Sequence, residues 1–197
     1  MRVGVLASGG GTNLQALLDS VHGREVEIVA VASDRPGAYA LERARAAGVP
    51  TCVFPRRDFA DRAARDASIA DWLEGAGVEL VVLAGYMAIL DAGFIARFPD
   101  RIVNVHPSLL PAFPGAHAVQ DAIAYGVRVF GVTVHLVDEG VDTGPVVAQA
   151  AVPVLDGDDE AALQARIQEV ERPLYVDAVG RLARGGWTVE GRTVRWA

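Results

Sequence analysis

Short, almost wholly apolar runs recur along the first half of this chain, at residues 2–7, 27–32, 51–54, 80–84 and 102–105. A run that is apolar on both sides of its pleat must be covered on both faces, as in a parallel sheet flanked by helices. The segments between the runs carry helical spacing. Leu14, Leu17, Leu18 and Val21 fall on one stripe. Residues 39–47 read as a helix stopped by Gly48, residues 58–74 as a helix closed by Gly75 and Gly77, and residues 91–97 as a short helix. Strands alternating with helices predict an α/β chain with a Rossmann-like, mostly parallel sheet and helices on both faces.

The pattern changes after Pro107. Residues 107–116 (PSLLPAFPGA) hold three prolines and read as loop. Residues 120–125 read as helix. Residues 127–137 and 146–154 are β-rich and flank a polar turn, so they form a hairpin or two edge strands, an antiparallel C-terminal part. From Asp159 a long helix carries Leu163, Ile167, Val170 and Leu174, with a kink expected at Pro173. Residues 187–196 suit a terminal hairpin. No repeat or linker divides the chain. One domain over 1–197 is expected, made of an α/β half, 1–106, and a second half, 107–197, of loop, β-rich segments and the long C-terminal helix.

Composition narrows the function classes. The chain has 197 residues, 51% of them hydrophobic, and a formal net charge of −7. A length of this order buries roughly 70% of the surface exposed on unfolding, so no staples are needed. The acidic balance argues against nucleic acid and anionic membrane as partners. Every basic residue is arginine, which excludes Schiff-base lysines and a P-loop lysine. Cys52 is the only cysteine and is read as core; a disulfide and a cysteine zinc site are excluded, and a reducing, cytoplasmic compartment is expected. No His, Asp and Glu set has metal-ligand spacing, so no metal is expected. The opening apolar run is too short for a signal peptide, and residues 80–90 are too short to span a bilayer. A homodimer is left open.

Three constellations carry chemistry. Residues 8–13 (SGGGTN) form a glycine loop running into a helix start, where free amides and the helix dipole suit a phosphate. Gly9 and Gly11 fit a dinucleotide fingerprint, but Leu14 replaces its third glycine. A ligand-free turn, a mononucleotide-like phosphate and a dinucleotide all remain. The second is Asn104-Val105-His106-Pro107. Strand alternation puts Asn104 and His106 on one face, at the carboxyl end of a parallel strand. There a carboxamide can donate to an oxyanion and an imidazole can move protons. A capping Asn beside a structurally satisfied His is the bland alternative. The third is the acidic turn 138–145. Asp142 matters if it lies against His106, where a carboxylate favours the imidazolium and orients it. His135, on a strand, is as well suited to packing as to chemistry. His117 is a candidate to line a site, and His22 reads as a surface residue.

The ordered segments ASGGGTNLQALL, LAGYMAIL, NVHPSLLPAFPG, VDEGVDTGP and QEVE resemble the folate-dependent formyltransferase family, and within it the short branch acting on glycinamide ribonucleotide. The resemblance runs from residue 1 to about residue 180. It implies transfer of a formyl group from 10-formyltetrahydrofolate, as co-substrate, to the amine of the ribonucleotide in purine synthesis. It implies that Gly11, Thr12, Asn13, Gln168 and Glu171 bind the ribonucleotide. The folate site maps to Arg62, Met87, Ala88, Ile89, Leu90, Asn104, Asp138, Glu139, Gly140, Val141 and Asp142. The catalytic trio maps to Asn104, His106 and Asp142, with Asn104 and protonated His106 holding a tetrahedral oxyanion. The chain departs from the family at Ala88 and Ala112, where basic residues are common, and at Val119, where a second His is common. Methionyl-tRNA formyltransferases add an RNA-binding domain for which there is no basic segment here. A formyltetrahydrofolate hydrolase, which carries an N-terminal regulatory domain, and a non-enzymatic nucleotide-binding module are the other readings.

Overall fold

The computed structural model describes all 197 residues. The first half runs β1 (Arg2–Leu6), α1 (Thr12–Ser20), β2 (Glu27–Ser33), α2 (Tyr39–Ala46), β3 (Thr51–Val53), α3 (Arg62–Gly75), β4 (Leu80–Leu83), α4 (Ala92–Arg97) and β5 (Ile102–His106). The second half runs α5 (Ala118–Tyr125), β6 (Val129–Leu136), β7 (Val146–Pro153), α6 (Glu160–Arg184), β8 (Trp187–Glu190) and β9 (Thr193–Trp196). All nine strands join one sheet in the order β3-β2-β1-β4-β5-β6-β7-β9-β8. Strands β1 to β5 pair in parallel; β6 pairs antiparallel with both β5 and β7, and β8 with β9. The α/β class and the antiparallel C-terminal part match the sequence reading.

The apolar strands are apolar because both faces are covered. Val3, Val5, Leu80, Val82 and Val103 pack under α1, α2 and α6. Leu6, Val81, Leu83 and Ile102, pointing the other way, pack under α3 and α4. A smaller cluster under α5 and the start of α6 closes the far end of β6 and β7.

Boundaries moved where local chemistry outweighed periodicity. A 3₁₀ turn at Arg56–Asp58 precedes α3, and the Asp61 carboxylate accepts from the Ala64 amide at 2.8 Å, so the helix starts at Arg62 rather than 58. Asp91 and Asp159 cap α4 and α6 in the same way. Helix α6 is one continuous element through Pro173. Cys52 is half-buried rather than core, because β3 is the edge of the sheet. His22 is not a free surface residue: its Nδ1 accepts from the Ile28 amide at 3.0 Å, tying the α1 exit to β2.

Tyr175 joins α6 to the sheet. It is 1% exposed, and its hydroxyl lies 2.9 Å from the Leu83 carbonyl and 3.0 Å from that of Val103. One hydroxyl proton serves two buried acceptors near the ends of β4 and β5. Tyr175→Phe leaves both without it and should destabilise the protein by about 1–3 kcal/mol, read as a lower urea midpoint with unchanged m-value.

Candidate active site

Two loops meet where the sheet reverses its winding. Strand β1 has β2 on one side and β4 on the other, and the chain leaves β1 and β4 toward opposite faces. Crevices at such points, outside the carboxyl ends of the strands, are where open α/β sheets hold ligands. The glycine loop follows β1, and residues 84–91 follow β4. A cleft of about 520 Å³ opens beside them, bounded also by the end of β5, the turn 137–142 and one side of α6.

The glycine loop leaves α1 uncapped. Gly11 is the N-cap residue, at φ 70°, and no side chain satisfies the first-turn amides. A Cβ at Gly11 would lie 2.7 Å from Ala40, so both conformation and space demand glycine. Gly9 and Gly10 have open space around them. Arg43 supplies nearby positive charge: its Nε donates to the Gly10 carbonyl at 2.9 Å. The Asn13 amide nitrogen donates to Glu171 at 2.7 Å, joining α1 to α6, while its carbonyl oxygen is buried with no partner. Burial pushes the Glu171 carboxyl up, and the Asn13 hydrogen bond pulls it back.

The β5–β6 register builds the polar centre. Asn104 pairs with His135 and His106 with Thr133, so these four side chains share a face. His106 is 5% exposed; its Nε2 lies 2.8 Å from the Phe113 carbonyl and its Nδ1 3.4 Å from Asp142 Oδ2. A carbonyl only accepts, so Nε2 carries a proton in both charge states. Nδ1 is the ring nitrogen that faces Asp142. His135 is 2% exposed; its Nδ1 donates to the Leu136 carbonyl at 2.9 Å. Its Nε2 stands 3.3 Å from the Asn104 amide nitrogen and 3.6 Å from Asp142 Oδ1. Nε2 accepts from Asn104 when the ring is neutral, or donates toward Asp142 when it carries a proton, and not both at once.

Asp142 reaches both rings from a turn. Its φ of 54° is left-handed, uncommon for a residue other than glycine. Gly144 permits the return to β7, since a Cβ there would meet the Leu136 carbonyl at 1.9 Å. The Gly115 amide donates to Asp142 Oδ2 at 2.8 Å. The His135 contact chiefly, then the Gly115 amide and the charge of His106, hold the carboxyl down at about 2 despite its burial.

Most sequence candidates line the cleft: Asn13, Met87, Ala88, Ile89, Leu90, Asn104, His106, Glu171 and residues 138–142. Gly11 and Thr12 lie outside its wall, with Asn13 the link between loop and cleft. Arg62 is exposed in the first turn of α3, away from the wall, and Gln168 accepts from Arg172 at 3.0 Å instead of lining it. His117 is exposed and stands apart from the wall. Sequence reasoning missed Gln164, Tyr86, Ile95 and Val137 on the wall. Gln164 lies seven residues before Glu171, two helical turns away on the same face, and that spacing was the available signal.

The formyl transferase family model matches residues 1–179. A phosphoribosylglycinamide formyltransferase from Mycobacterium tuberculosis is 51% identical over 193 residues, spanning 98% of this chain and 89% of that protein. The trifunctional purine biosynthetic protein adenosine-3 of Drosophila melanogaster is 46% identical over 93% of this chain, which spans 14% of that longer protein. Among solved structures, glycinamide ribonucleotide transformylase 1 from Symbiobacterium toebii superposes with a TM-score of 0.95 at 48% identity, over 100% of this chain and 93% of its own.

The depressed Asp142 carboxyl has a consequence for stability. Its contribution is full above the unfolded carboxylate range near 3.8 and is lost as pH falls toward about 2. Asp142→Asn lacks this titration. The stability gap between wild type and Asp142→Asn, measured by urea unfolding, should therefore shrink as pH falls through that window.

Proposed function

The chain belongs to the formyl transferase family, and from that membership we propose that it transfers the formyl group of 10-formyltetrahydrofolate to the amine of N1-(5-phosphoribosyl)glycinamide. The observation that carries this reading is one Asn, one His and one Asp converging beside a cleft that adjoins a helix N-terminus with no side-chain cap. The near full-length likeness to the mycobacterial formyltransferase supports the same substrates.

The uncapped amides of α1, with Arg43 nearby, bind the ribose phosphate through Gly11, Thr12 and Asn13. Glu171 and Gln168 are assigned to the rest of the ribonucleotide. Met87, Ile89, Leu90 and Ile95 give the cleft apolar walls, and the turn 138–142 adds polar groups, a combination suited to a flat heterocycle. Arg62 is assigned to the folate from outside the wall. The folate supplies the formyl carbon and departs as tetrahydrofolate.

As the amine attacks, negative charge grows on the formyl oxygen. Asn104 has a second amide proton beyond the one aimed at His135, and His106 has its Nδ1 proton; both are available to that charge. The amine must also shed a proton, and the folate nitrogen must gain one. Asp142, ionised at neutral pH, is placed to accept the first and pass it on through His106 or a water. The reading uses only small-molecule substrates, its chemistry calls for no metal, and a cytoplasmic location suits the reaction.

The test follows loss of 10-formyltetrahydrofolate by absorbance, with and without the ribonucleotide. Turnover that requires the amine acceptor is expected; equal deformylation without it would make the protein a hydrolase. Ribonucleotide binding with no turnover would make it a binding module. His106→Ala should lower kcat by roughly 10²–10³, the range for loss of one oxyanion donor. Gly11→Ala, which forces a Cβ against Ala40, should raise KM for the ribonucleotide about tenfold or more with a much smaller effect on the folate KM.

A further inference from the structure

No helix or strand covers residues 84–91, although they supply a whole side of the cleft. Their shape depends on a few hydrogen bonds from elsewhere. The Ser8 amide donates to the Gly85 carbonyl at 3.0 Å, and the Met87 amide donates to the Ser8 hydroxyl oxygen at 2.9 Å. The Asp91 amide donates to Asp66 Oδ2 at 2.9 Å. The amides of Ala88, Ile89 and Leu90, between these two anchors, have no acceptor in the protein. Ser8 is 3% exposed and Asp66 0% exposed, so neither anchor exchanges freely with water.

The two anchors differ in what lies behind them. Asp66 is held by Arg65, whose Nε and Nη2 both donate to its Oδ1 at 2.9 and 2.7 Å. Ser8 is held by Asp34, which accepts from its hydroxyl at 2.6 Å. Because Asp34 takes the hydroxyl proton, the Ser8 lone pairs are left facing the Met87 amide. Ser8 also opens the glycine loop. A single hydroxyl thus fastens the loop on one side of the switch point to the segment on the other.

We propose that Ser8, oriented by Asp34, is a positioning residue that sets folate affinity by fixing residues 85–87 against the glycine loop. This rests on the reading of the cleft as the folate site. Without the hydroxyl, the Met87 amide has no acceptor and the segment must shift to find one.

The experiment measures kcat and both KM values for wild type, Ser8→Ala, Asp34→Asn and Asp34→Ala, with melting temperatures alongside. Ser8→Ala should raise the folate KM about tenfold, the equivalent of one lost hydrogen bond. The ribonucleotide KM and kcat should change by less than about twofold, a split that uniform loss of folded protein does not produce. Asp34→Asn keeps an acceptor for the hydroxyl and should stay near wild type; Asp34→Ala should move toward Ser8→Ala. Should Ser8→Ala fail to fold, the Asp34 pair decides alone. An unchanged folate KM in Ser8→Ala, or Asp34→Asn as impaired as Asp34→Ala, overturns the proposal. So does a fall in kcat and a rise in both KM values that track a lower melting temperature. Wild type that turns over normally beside any of these leaves the formyl-transfer reading intact, whereas wild type that transfers no formyl group removes both.

Discussion

The reversal of winding between β1 and β4 is the constraint on which the rest depends. Two neighbouring parallel strands send their chains to opposite faces, so no helix covers the gap between their carboxyl ends. The loops after them must line that gap themselves. Backbone groups there have no ladder to join, and the structure satisfies them sparingly. The first amides of α1 and those of residues 88–90 are left without protein partners. Unpaired amides at a solvent-open gap are a small cost in water and a recognition surface once a ligand excludes it.

The second determinant is the turn from parallel to antiparallel pairing at β5 and β6. Because β6 runs back along β5, a residue far along the chain lands opposite Asn104. That residue is His135, whose Nε2 stands 3.3 Å from the Asn104 amide nitrogen and 3.6 Å from an Asp142 carboxylate oxygen. The period-two rule placed Asn104 and His106 together from sequence alone, since their relation is local. The His135 pairing depends on register, and register depends on a connection of more than twenty residues that includes α5, so spacing does not decide it. The contact of Asp142 with His106 likewise depends on the left-handed backbone at Asp142, which turns its carboxylate inward.

The glycine loop, the apolar strands and the long terminal helix were all readable because each is a local pattern with one physical solution. Errors came where two local patterns competed. At α3 the aspartate cap and the 3₁₀ turn overrode the helical spacing that extended back to residue 58. On α6 the face toward the cleft is set by how the helix lies across β5, β6 and β7, so Gln164 and Glu171 reach the wall while Gln168 turns to Arg172. Cys52 looked like core because β3 is apolar, but an edge strand has a neighbour on one side only. Arg62 is assigned to the folate by the resemblance alone, and it stands on the exposed first turn of α3.

The loop 107–116 and the His–Asp pair form one unit. Phe113, at φ 50°, turns its carbonyl onto His106 Nε2, and Gly115 sends its amide to Asp142 Oδ2. The same short stretch therefore decides which imidazole nitrogen faces the carboxylate and holds that carboxylate in place. Thr133 anchors the start of that loop: its hydroxyl donates to the Ser108 carbonyl at 2.7 Å and accepts from the Leu110 amide at 3.0 Å. Thr133 is the cross-strand partner of His106. The register that places the histidine thus also tethers the loop that sets its proton, so the ring cannot be repositioned without disturbing the group that defines its tautomer. Preorganisation here is a property of one strand pair and ten loop residues, not of the trio of side chains taken alone.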